Sequence, residues 1–484
     1  MAYPTGFFTP SAKALALVGC KLKLFRSACL TGVQRVAQNV SMNEITSRYL
    51  PLDDAQRRQL HNEVHARPSA RVRLPALIVY VAVLNAGISR EQEWAHLRSL
   101  PGHADLQPEQ LNGNFLRLRC DGFTVKWERH TEFTRYSIVQ ALPAHAAWGQ
   151  AMPELASQAV VGSDWLRAIP GQTVAAIHLG MMEGDMASHH IVTQAQAWLG
   201  EGAVVGSRMG NTSEGLSHSC VLTHFRLGDD GFERMLVIAP AGTPEARAGR
   251  ISQRLLELET YRLMALRGLP VAKALAPVLS EAEAQLADIT ARLERKGDSD
   301  QALLDVLVSL AARVERATAE HGYRFSATRA YDTLVAQRIA ELRERPVAGI
   351  QTVGEFMQRR LSPAMATVVA TAQRLASLSE RVSRTSALLR TRVDIATESQ
   401  NQVLLEKLTR GQDLQLRLQS TVEGLSIAAI SYYVVSLVLY GAKALNKLGL
   451  PINPEMVAGL SIPLVLWGVW KTVQRIHARI HSQG

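Results

Sequence analysis

The chain has 484 residues and a formal net charge of +10; 47% of its residues are hydrophobic and 20% are charged. This composition excludes a disordered chain, and the length exceeds what a single core normally holds, so we expect two or more domains. The first 48 residues hold six cations against one acid, and the last 14 hold three cations and no acid. Because the excess positive charge lies at the two ends, it favours contact with a membrane surface over a nucleic-acid groove. We therefore predict no nucleic-acid partner.

The N-terminal residues 1–48 are predicted to be a weakly ordered basic extension. Their apolar run "ALALVGCKLKLF" at 14–25 is short, is interrupted by lysines and lacks a small-residue cleavage site, so a secretory signal is not indicated. Two interpretations stay open for this segment. It is an amphipathic anchor, or the native protein starts at Met42 and residues 1–41 lie upstream of it.

The stretch "HNEVHARP" at 61–68 places His61 and His65 four residues apart, as in a zinc-binding helix. The zinc-protease pattern H-E-x-x-H needs a glutamate directly after the first histidine. Here Asn62 occupies that position and Glu63 follows one residue later. A metal site using His61 and His65 is therefore the weaker interpretation of the motif.

The structural interpretation of the same stretch starts from its proline. Pro68 disfavours helical backbone at the residue before it, so a helix from about residue 53 is predicted to stop near residues 65–67. The polar side chains are then expected to cap helix ends and pair with each other at the edge of the sheet. These side chains are His61, Asn62, Glu63 and Arg67.

From residue 71 to about 240 the pattern predicts an α+β domain with a mainly antiparallel sheet. Alternating runs at 114–140, broken by Asp121–Gly122, indicate a meander with a tight turn. Helices are expected near 89–98 and 185–199. Further strands are predicted at 74–84, 173–181, 219–227 and 232–240, the last two joined by the turn "GDDG".

The polar, glycine-rich stretch at 206–219 lacks the G-K-[ST] of a phosphate-binding loop, and we interpret it as a long hairpin loop. On the strand that follows, His218, Cys220 and His224 alternate. Zinc binding by His218 and His224 is one hypothesis. A solvated strand face and a core histidine explain the same residues more simply.

After residue 244 the composition becomes helical through residue 424. Helices are predicted over 245–296 with a break near 268–270, from Ser299, over 327–345, from about 353, and over 362–424. The last is expected to continue into the apolar segment that follows, because no helix breaker except Gly424 lies between them. Within the first, Arg254 with Glu257 and Glu259 with Arg262 have the spacing of surface ion pairs. Seven residues of the last helix step by three or four, which predicts a coiled-coil stalk that self-associates. They are Leu375, Leu378, Val382, Thr385, Leu389, Val393 and Ala396, with Val403, Leu408 and Leu418 continuing less strictly.

Two apolar segments near the C-terminus predict a transmembrane hairpin, with spans at about 425–445 and 455–472 joined by a short turn. Lys471 can extend the shorter one by reaching the interface. The basic tail 473–484 places both flanks in the cytoplasm, although Lys443 and Lys447 argue the other way. The cysteines carry no C-x-x-C pair, which is typical of a reducing compartment. We therefore expect a multi-pass protein of a bacterial inner membrane, with its soluble domain and C-terminus cytoplasmic.

These observations predict five segments. They are the extension 1–48, a cytoplasmic α+β head at 49–244, a helical stalk at 245–424, a transmembrane hairpin at 425–472 and a basic tail at 473–484. Residues from about 49 to 474 resemble a bacterial family of membrane-anchored proteins known as domain of unknown function 3422. The resemblance is carried by "LHNEVHARP", by "QRLLELETYR" with "ALRGLP", and by the long segment from "SALLRTRVDIATESQ" to "SYYVVSLVLY". It implies a location and an architecture, but no activity.

The layout is also loosely similar to CorA-type divalent-cation channels, in which a soluble domain and long helices precede two closely spaced spans. Those channels carry a Gly-Met-Asn signature after the first span, whereas this chain reads "YGAKALNKLG" with Lys443 and Lys447. Lysines at a pore mouth repel cations.

Three functional hypotheses follow. The first is a membrane-anchored protein with no enzymatic activity, a scaffold or regulator that contacts the bilayer, self-associates and binds an unidentified protein. The second is a CorA-like transporter, and the third is a metal-dependent enzyme using His61, His65, His218 or His224. We predict no catalytic residue and no cofactor.

Overall fold

The computed structural model of the protein describes residues 54, 56–57, 60–61, 71–142, 160–184, 191–210, 218–295, 299–447 and 453–481. The strands are β1 (Ala76–Leu84), β2 (Phe115–Cys120), β3 (Phe123–Arg129), β4 (Phe133–Ala141), β5 (Gln172–Glu183), β6 (Val205–Met209), β7 (Ser219–Leu227), β8 (Glu233–Ala239) and β9 (Glu344–Pro346). The helices are α1 (Arg90–Arg98), α2 (Ser163–Arg167), α3 (Ile191–Leu199), α4 (Glu245–Leu266), α5 (Gly268–Glu294), α6 (Asp300–Leu342), α7 (Val353–Arg360), α8 (Ser362–Lys447) and α9 (Pro454–His481).

In the described parts of the chain the strands form one nine-stranded sheet, in the order β2-β3-β4-β1-β5-β8-β7-β6-β9. The pairs are antiparallel except β5 with β8, which is parallel. The predicted α+β class with a mainly antiparallel sheet, followed by long helices, is confirmed. The strands β6 and β9 and the helix α2 were not predicted, because each is five residues or shorter and too short to show a period.

The predicted turns explain the register of the sheet. Gly122 joins β2 to β3 and Gly231 lies between β7 and β8, and their φ angles are +78° and +79°. Glycine adopts this left-handed conformation without steric cost. The resulting hairpin sets Arg117 opposite Lys126 and Leu118 opposite Val125.

Helix starts follow local capping rules. The Ser89 hydroxyl accepts a hydrogen bond from the Gln92 amide at the start of α1, and the Gln92 Oε1 atom accepts one from the Ser89 amide. Thr352 and Glu355 form the same reciprocal capping box at the start of α7. Such boxes satisfy amides that otherwise lack a partner at a helix start.

The described residues fall into two compact units. Those up to Val271, together with Arg324–Val369, form the first, and Ala272–Tyr323 with the described residues from Ala370 onward form the second. In the first unit one face of the sheet packs against α1 and α3 through a core that includes Trp127, Tyr136 and Trp198. The other face carries Tyr80 and Arg135, which contact α4.

In the second unit parts of α5, α6 and α8 present apolar residues to a common core. Most of these residues recur every three or four positions, as expected of packed helices. They are Leu275, Leu279, Leu286 and Ile289 of α5, Leu303, Leu307, Leu310 and Val314 of α6, and Leu375, Leu378, Val382 and Leu389 of α8. Arg374 of α8 binds Glu283 of α5 with a distance of 2.8 Å between Nη2 and Oε2.

One helix is longer than predicted, and a second follows the prediction. The predicted separate helix at 327–345 is instead the C-terminal part of α6, which runs unbroken for 43 residues. The sequence of α6 contains no proline, and Gly322 lies in open space, so nothing forces a break. Helix α8 runs for 86 residues and includes the first predicted span, as expected from the absence of a helix breaker before it.

Candidate functional site

Buried charges line up on the α4 face of the sheet in the first unit. Lys126 and Glu128 alternate along β3, and Arg135 stands opposite Glu128 on β4. Glu128 Oε2 lies 2.5 Å from Arg135 Nε and 3.1 Å from Lys126 Nζ. Because period-two alternation points these side chains to one face, the register alone brings them together.

The network continues onto the helices that cover this face. Glu257 of α4 receives hydrogen bonds of 3.2 Å from Arg135 and 2.7 Å from the Nε atom of Arg338 on α6. Arg338 also donates to Glu341, and Glu341 lies 3.3 Å from Arg254. Seven alternating charges therefore join two strands to two helices.

The ionisation of the network follows from its geometry. Burial raises the pKa of Glu128, but Arg135 and Lys126 outweigh that effect and hold the pKa at about 2. Burial lowers the pKa of Lys126, and Glu128 opposes the change. Burial disfavours the charged form of Arg135, yet Glu128, Tyr80 and Glu257 raise its pKa well above the usual value. The central salt bridge is therefore ionised at neutral pH.

A cleft of about 270 Å³ opens beside this network. Its floor is the row of β-strand side chains, and α4 forms one wall. The lining residues include five cations and two acids; the cations are Arg71, Arg117, Arg119, Lys126 and Arg135, and the acids are Glu128 and Glu245.

A second cavity of about 560 Å³ lies near the end of β7. Phe225 has a φ of +51°, at a register shift between β7 and β8. Its ring stacks on Phe356 with a centroid distance of 4.7 Å and carries the Arg262 guanidinium at 5.4 Å. A left-handed φ at a bulky residue is unfavourable and persists only where packing enforces it, as it does here.

Two buried glutamates, Glu233 and Glu259, lie behind Arg262, which lines this cavity. Burial raises the pKa of Glu233 well above its usual value, and the charge and hydrogen bond of Glu259 add to the effect, while Arg262 opposes it. Arg262 Nε donates to Glu259 at 2.7 Å, and Thr223 contacts Glu233 at 3.2 Å. Two carboxyl groups in contact cannot both ionise cheaply, so we expect the pair to hold one proton.

The predicted histidine site is only partly described. His61 lies in a short helical stretch and is exposed. The other members of the predicted motif, Asn62, Glu63, His65, Arg67 and Pro68, lie outside the described residues, so the motif stays a prediction.

The strand histidines offer a poor metal site. His224 Nδ1 accepts the Arg226 amide at 3.1 Å, and its Nε2 donates to the Leu199 carbonyl, so both ring nitrogens are occupied. Burial lowers the pKa of His218, and nearby arginines, among them Arg345 and Arg208, lower it further. Those arginines also repel a metal cation. Among the residues described, no group of three or more His, Cys, Asp and Glu could hold a metal ion.

Sequence reasoning missed the charge network. It assigned Arg254 and Glu257 to a surface ion pair, but Glu257 is 5% exposed and binds Arg135 and Arg338 instead. The Glu259–Arg262 pair does form, with Glu259 buried rather than at the surface. A charged residue at a core position of an otherwise apolar helix face was the available signal, since Glu257 and Glu259 lie among the leucines of α4.

Three helical stretches within the described chain are long and apolar enough to cross a membrane. They are Glu245–Glu294, Val353–Lys447 and Pro454–Arg475. A third of the most apolar window of the first is buried inside the protein, compared with 6% in each of the others. The first is therefore better explained as a helix pair that packs within the protein, and the other two contain the predicted spans.

Comparison with known proteins gives a family and no activity. A family model described as "Protein of unknown function (DUF3422)" matches residues 53–480. No curated protein matches the chain, and no solved structure matches it. The likeness to CorA-type channels therefore rests on layout alone.

Proposed function

The chain belongs to the DUF3422 family of proteins of unknown function, and from its own residues we propose that it is a membrane-anchored protein that self-associates through α8. The observation that carries the proposal is one helix face. That face is buried inside the second unit as far as Leu389, and from there towards the first predicted span it carries exposed leucine and valine side chains at intervals.

Membrane anchoring is supported by the ends of α8 and α9. Both predicted spans have exposed large apolar side chains, such as Leu437 at 70% and Leu464 at 71%. Exposure of this kind costs free energy in water and is favourable in lipid. Lys471 lies over the Trp467 ring at 4.5 Å, an arrangement suited to the membrane interface.

The proposed orientation places the α+β unit and the C-terminal tail in the cytoplasm. Lys471 and Arg475 follow the second span directly, and positive residues favour the cytoplasmic side. Cys120 and Cys220 carry free thiols, as is usual in a reducing compartment. Lys443 and Lys447 would sit on the opposite flank, where the short turn between the spans keeps them near the lipid headgroups.

The exposed apolar face of α8 is a direct continuation of a buried one. Leu375, Leu378, Val382 and Leu389 are each at most 3% exposed. Beyond Val393 and Ala396, the same face carries Leu404, Leu408, Leu418, Val422 and Leu425, which are 57–74% exposed and are separated by three, four or ten residues. We call residues 393–425 on this face the stripe. At 1.5 Å per residue it is about 50 Å long, enough for several turns of helix packing.

The partner we propose for the stripe is a second copy of the chain. Copies anchored in one membrane by the same span present the stripe in the same direction and at the same height. Confinement to a membrane raises their effective concentration, so a modest interface is sufficient for association. Packing at spacings of three and four residues is the geometry of parallel coiled coils.

Neither alternative function is favoured by a specific observation. A cation channel is disfavoured by Lys443 and Lys447 at the end of the first span. A metal-dependent enzyme is disfavoured by the hydrogen bonds that occupy both nitrogens of His224.

Self-association is testable with a matched pair of double variants. Leu404 and Leu418 lie on the stripe, and Leu405 and Leu416 lie off it with similar exposure, between 57% and 68% for all four. For the full chain in mild detergent, light scattering after size exclusion should give an oligomer for the wild type and for L405S/L416S. The L404S/L418S variant should give a smaller mass. A monomeric wild type, or equal dissociation of both variants, would contradict the proposal.

A further inference from the structure

The cleft beside the charge network carries more positive charge than its acids can neutralise. Arg117 on β2 stands directly opposite Lys126 on β3, and Arg119 stands opposite Thr124 on the same face. Like charges that face each other across a strand pair are destabilising. An anion bound between two such cations therefore stabilises the folded protein.

The nearby acids are already engaged or lie at the rim. Glu128 binds Arg135 and Lys126 through its Oε2 atom. Glu245 lies at the exposed start of α4. The side chains of Arg71, Arg117 and Arg119 are exposed and make no ion pair with any residue in the described ranges. Three guanidinium groups are thus available to a ligand, and their planar forks suit the paired oxygens of a phosphate group.

The cleft also contains an acceptor that needs a donor. Glu128 is 1% exposed, and among the described residues its Oε1 atom has no hydrogen-bond partner. The Oε1 atom of Gln253, on the α4 wall, has none either. A buried acceptor without a partner costs free energy. A phosphate group held by the arginines directs its charged oxygens towards them, whereas a separate alcohol hydroxyl on the same ligand can donate to these acceptors.

We propose that this cleft binds a small, water-soluble phosphate monoester of a polyol, with its phosphate on Arg117 and Arg119 and a hydroxyl group donating to Glu128. The volume of about 270 Å³ is just below the usual range for drug-sized ligands, which suits a smaller molecule and excludes a polymer from the interior. The site is independent of the stripe on α8, so this inference and the proposed self-association can fail separately.

The first test measures binding to the full chain in detergent by calorimetry. Glycerol 3-phosphate should bind saturably and at least tenfold more tightly than inorganic phosphate, because only the former carries alcohol hydroxyl groups that can donate to Glu128 while its phosphate contacts the arginines. Dioctanoyl phosphatidic acid carries the same phosphomonoester with both hydroxyls esterified, and should bind more weakly than glycerol 3-phosphate. Equal or tighter binding of the lipid would overturn the proposal in favour of a headgroup site.

The second test compares R117Q/R119Q with R329Q, a matched control at an exposed arginine of α6. Glycerol 3-phosphate should raise the melting temperature of the wild type and of R329Q, and its affinity for R117Q/R119Q should fall at least tenfold. The melting temperature of R117Q/R119Q without ligand should not fall, since the substitution relieves repulsion. Unchanged affinity of R117Q/R119Q, or no saturable binding to the wild type, would overturn the assignment.

Discussion

The two compact units differ in where they place charged and apolar side chains. The first buries its charges in contact with each other, so that Glu128, Arg135 and Glu257 are each at most 5% exposed. The second keeps ion pairs such as Arg313–Glu281 at its surface and leaves leucines of α8 exposed. The first unit thus pairs these buried charges with each other. The second presents apolar surface that only lipid or another chain can cover.

The largest effect is expected at the centre of the buried network. Glu257→Gln removes the charge shared by Arg135 and Arg338, and loss of one partner from a buried ion pair typically costs about 3–5 kcal/mol. Unfolding of the full chain in detergent can be followed by tryptophan fluorescence. The free energy of unfolding should fall by about 3–5 kcal/mol.

The matched control is Glu281→Gln in the second unit. Its pair with Arg313 has an N–O distance of 3.5 Å, and the Glu281 side chain is 74% exposed. Exposed pairs contribute at most about 1 kcal/mol. If both substitutions lower the free energy of unfolding by the same amount, the contrast between the units is wrong.

A smaller effect on stability should distinguish the buried part of the α8 face, up to Leu389, from the exposed stripe. Leu378→Ala opens a cavity at a residue that is 1% exposed, and such truncations cost about 2–5 kcal/mol. Leu408→Ala, on the same face but 65% exposed, should leave the unfolding of the separated chain unchanged and weaken association instead. Chemical denaturation at low and high protein concentration distinguishes the two outcomes. A concentration-independent loss at Leu408 would contradict the assignment of the stripe as an intermolecular surface.

The smallest effect concerns pH in the first unit. Burial and the neighbouring Glu259 raise the pKa of Glu233 in the folded state. A carboxyl group with a raised folded pKa contributes stability below its unfolded pKa of about 4.5, and this contribution is lost as the pH rises through the folded value. Glu233→Gln should therefore become more stable relative to the wild type between pH 4 and pH 8. A difference that does not vary with pH would show that Glu233 keeps an ordinary pKa.

Much of the sheet was predictable because its signals are local. Alternating residues and glycines at tight turns predicted the β2–β3–β4 meander and the β7–β8 pair. Local signals also predicted the helix break near residue 267 and the unbroken course of α8 into its apolar segment.

The charge network could not be predicted in the same way, because its partners are distant in sequence. Glu257 lies 122 residues from Arg135 and 81 residues from Arg338. At the level of the sequence, a surface pair with Arg254 at i−3 explains Glu257 equally well. Only the packing of α4 on the sheet decides between them. The orphaned Oε1 atom of Glu128 is likewise visible only in three dimensions.

The central claim is tested most directly by cysteine cross-linking of the full chain in native membranes, with Cys20, Cys29, Cys120 and Cys220 replaced by alanine. Single cysteines at Leu404, Leu408, Leu418 and Val422 should give disulfide-linked dimers on mild oxidation, whereas Leu405→Cys and Leu416→Cys should give few. Yields that rise and fall every three to four residues along 393–425 are the predicted result. No dimers at any position, or equal yields on and off the stripe, would contradict self-association through α8.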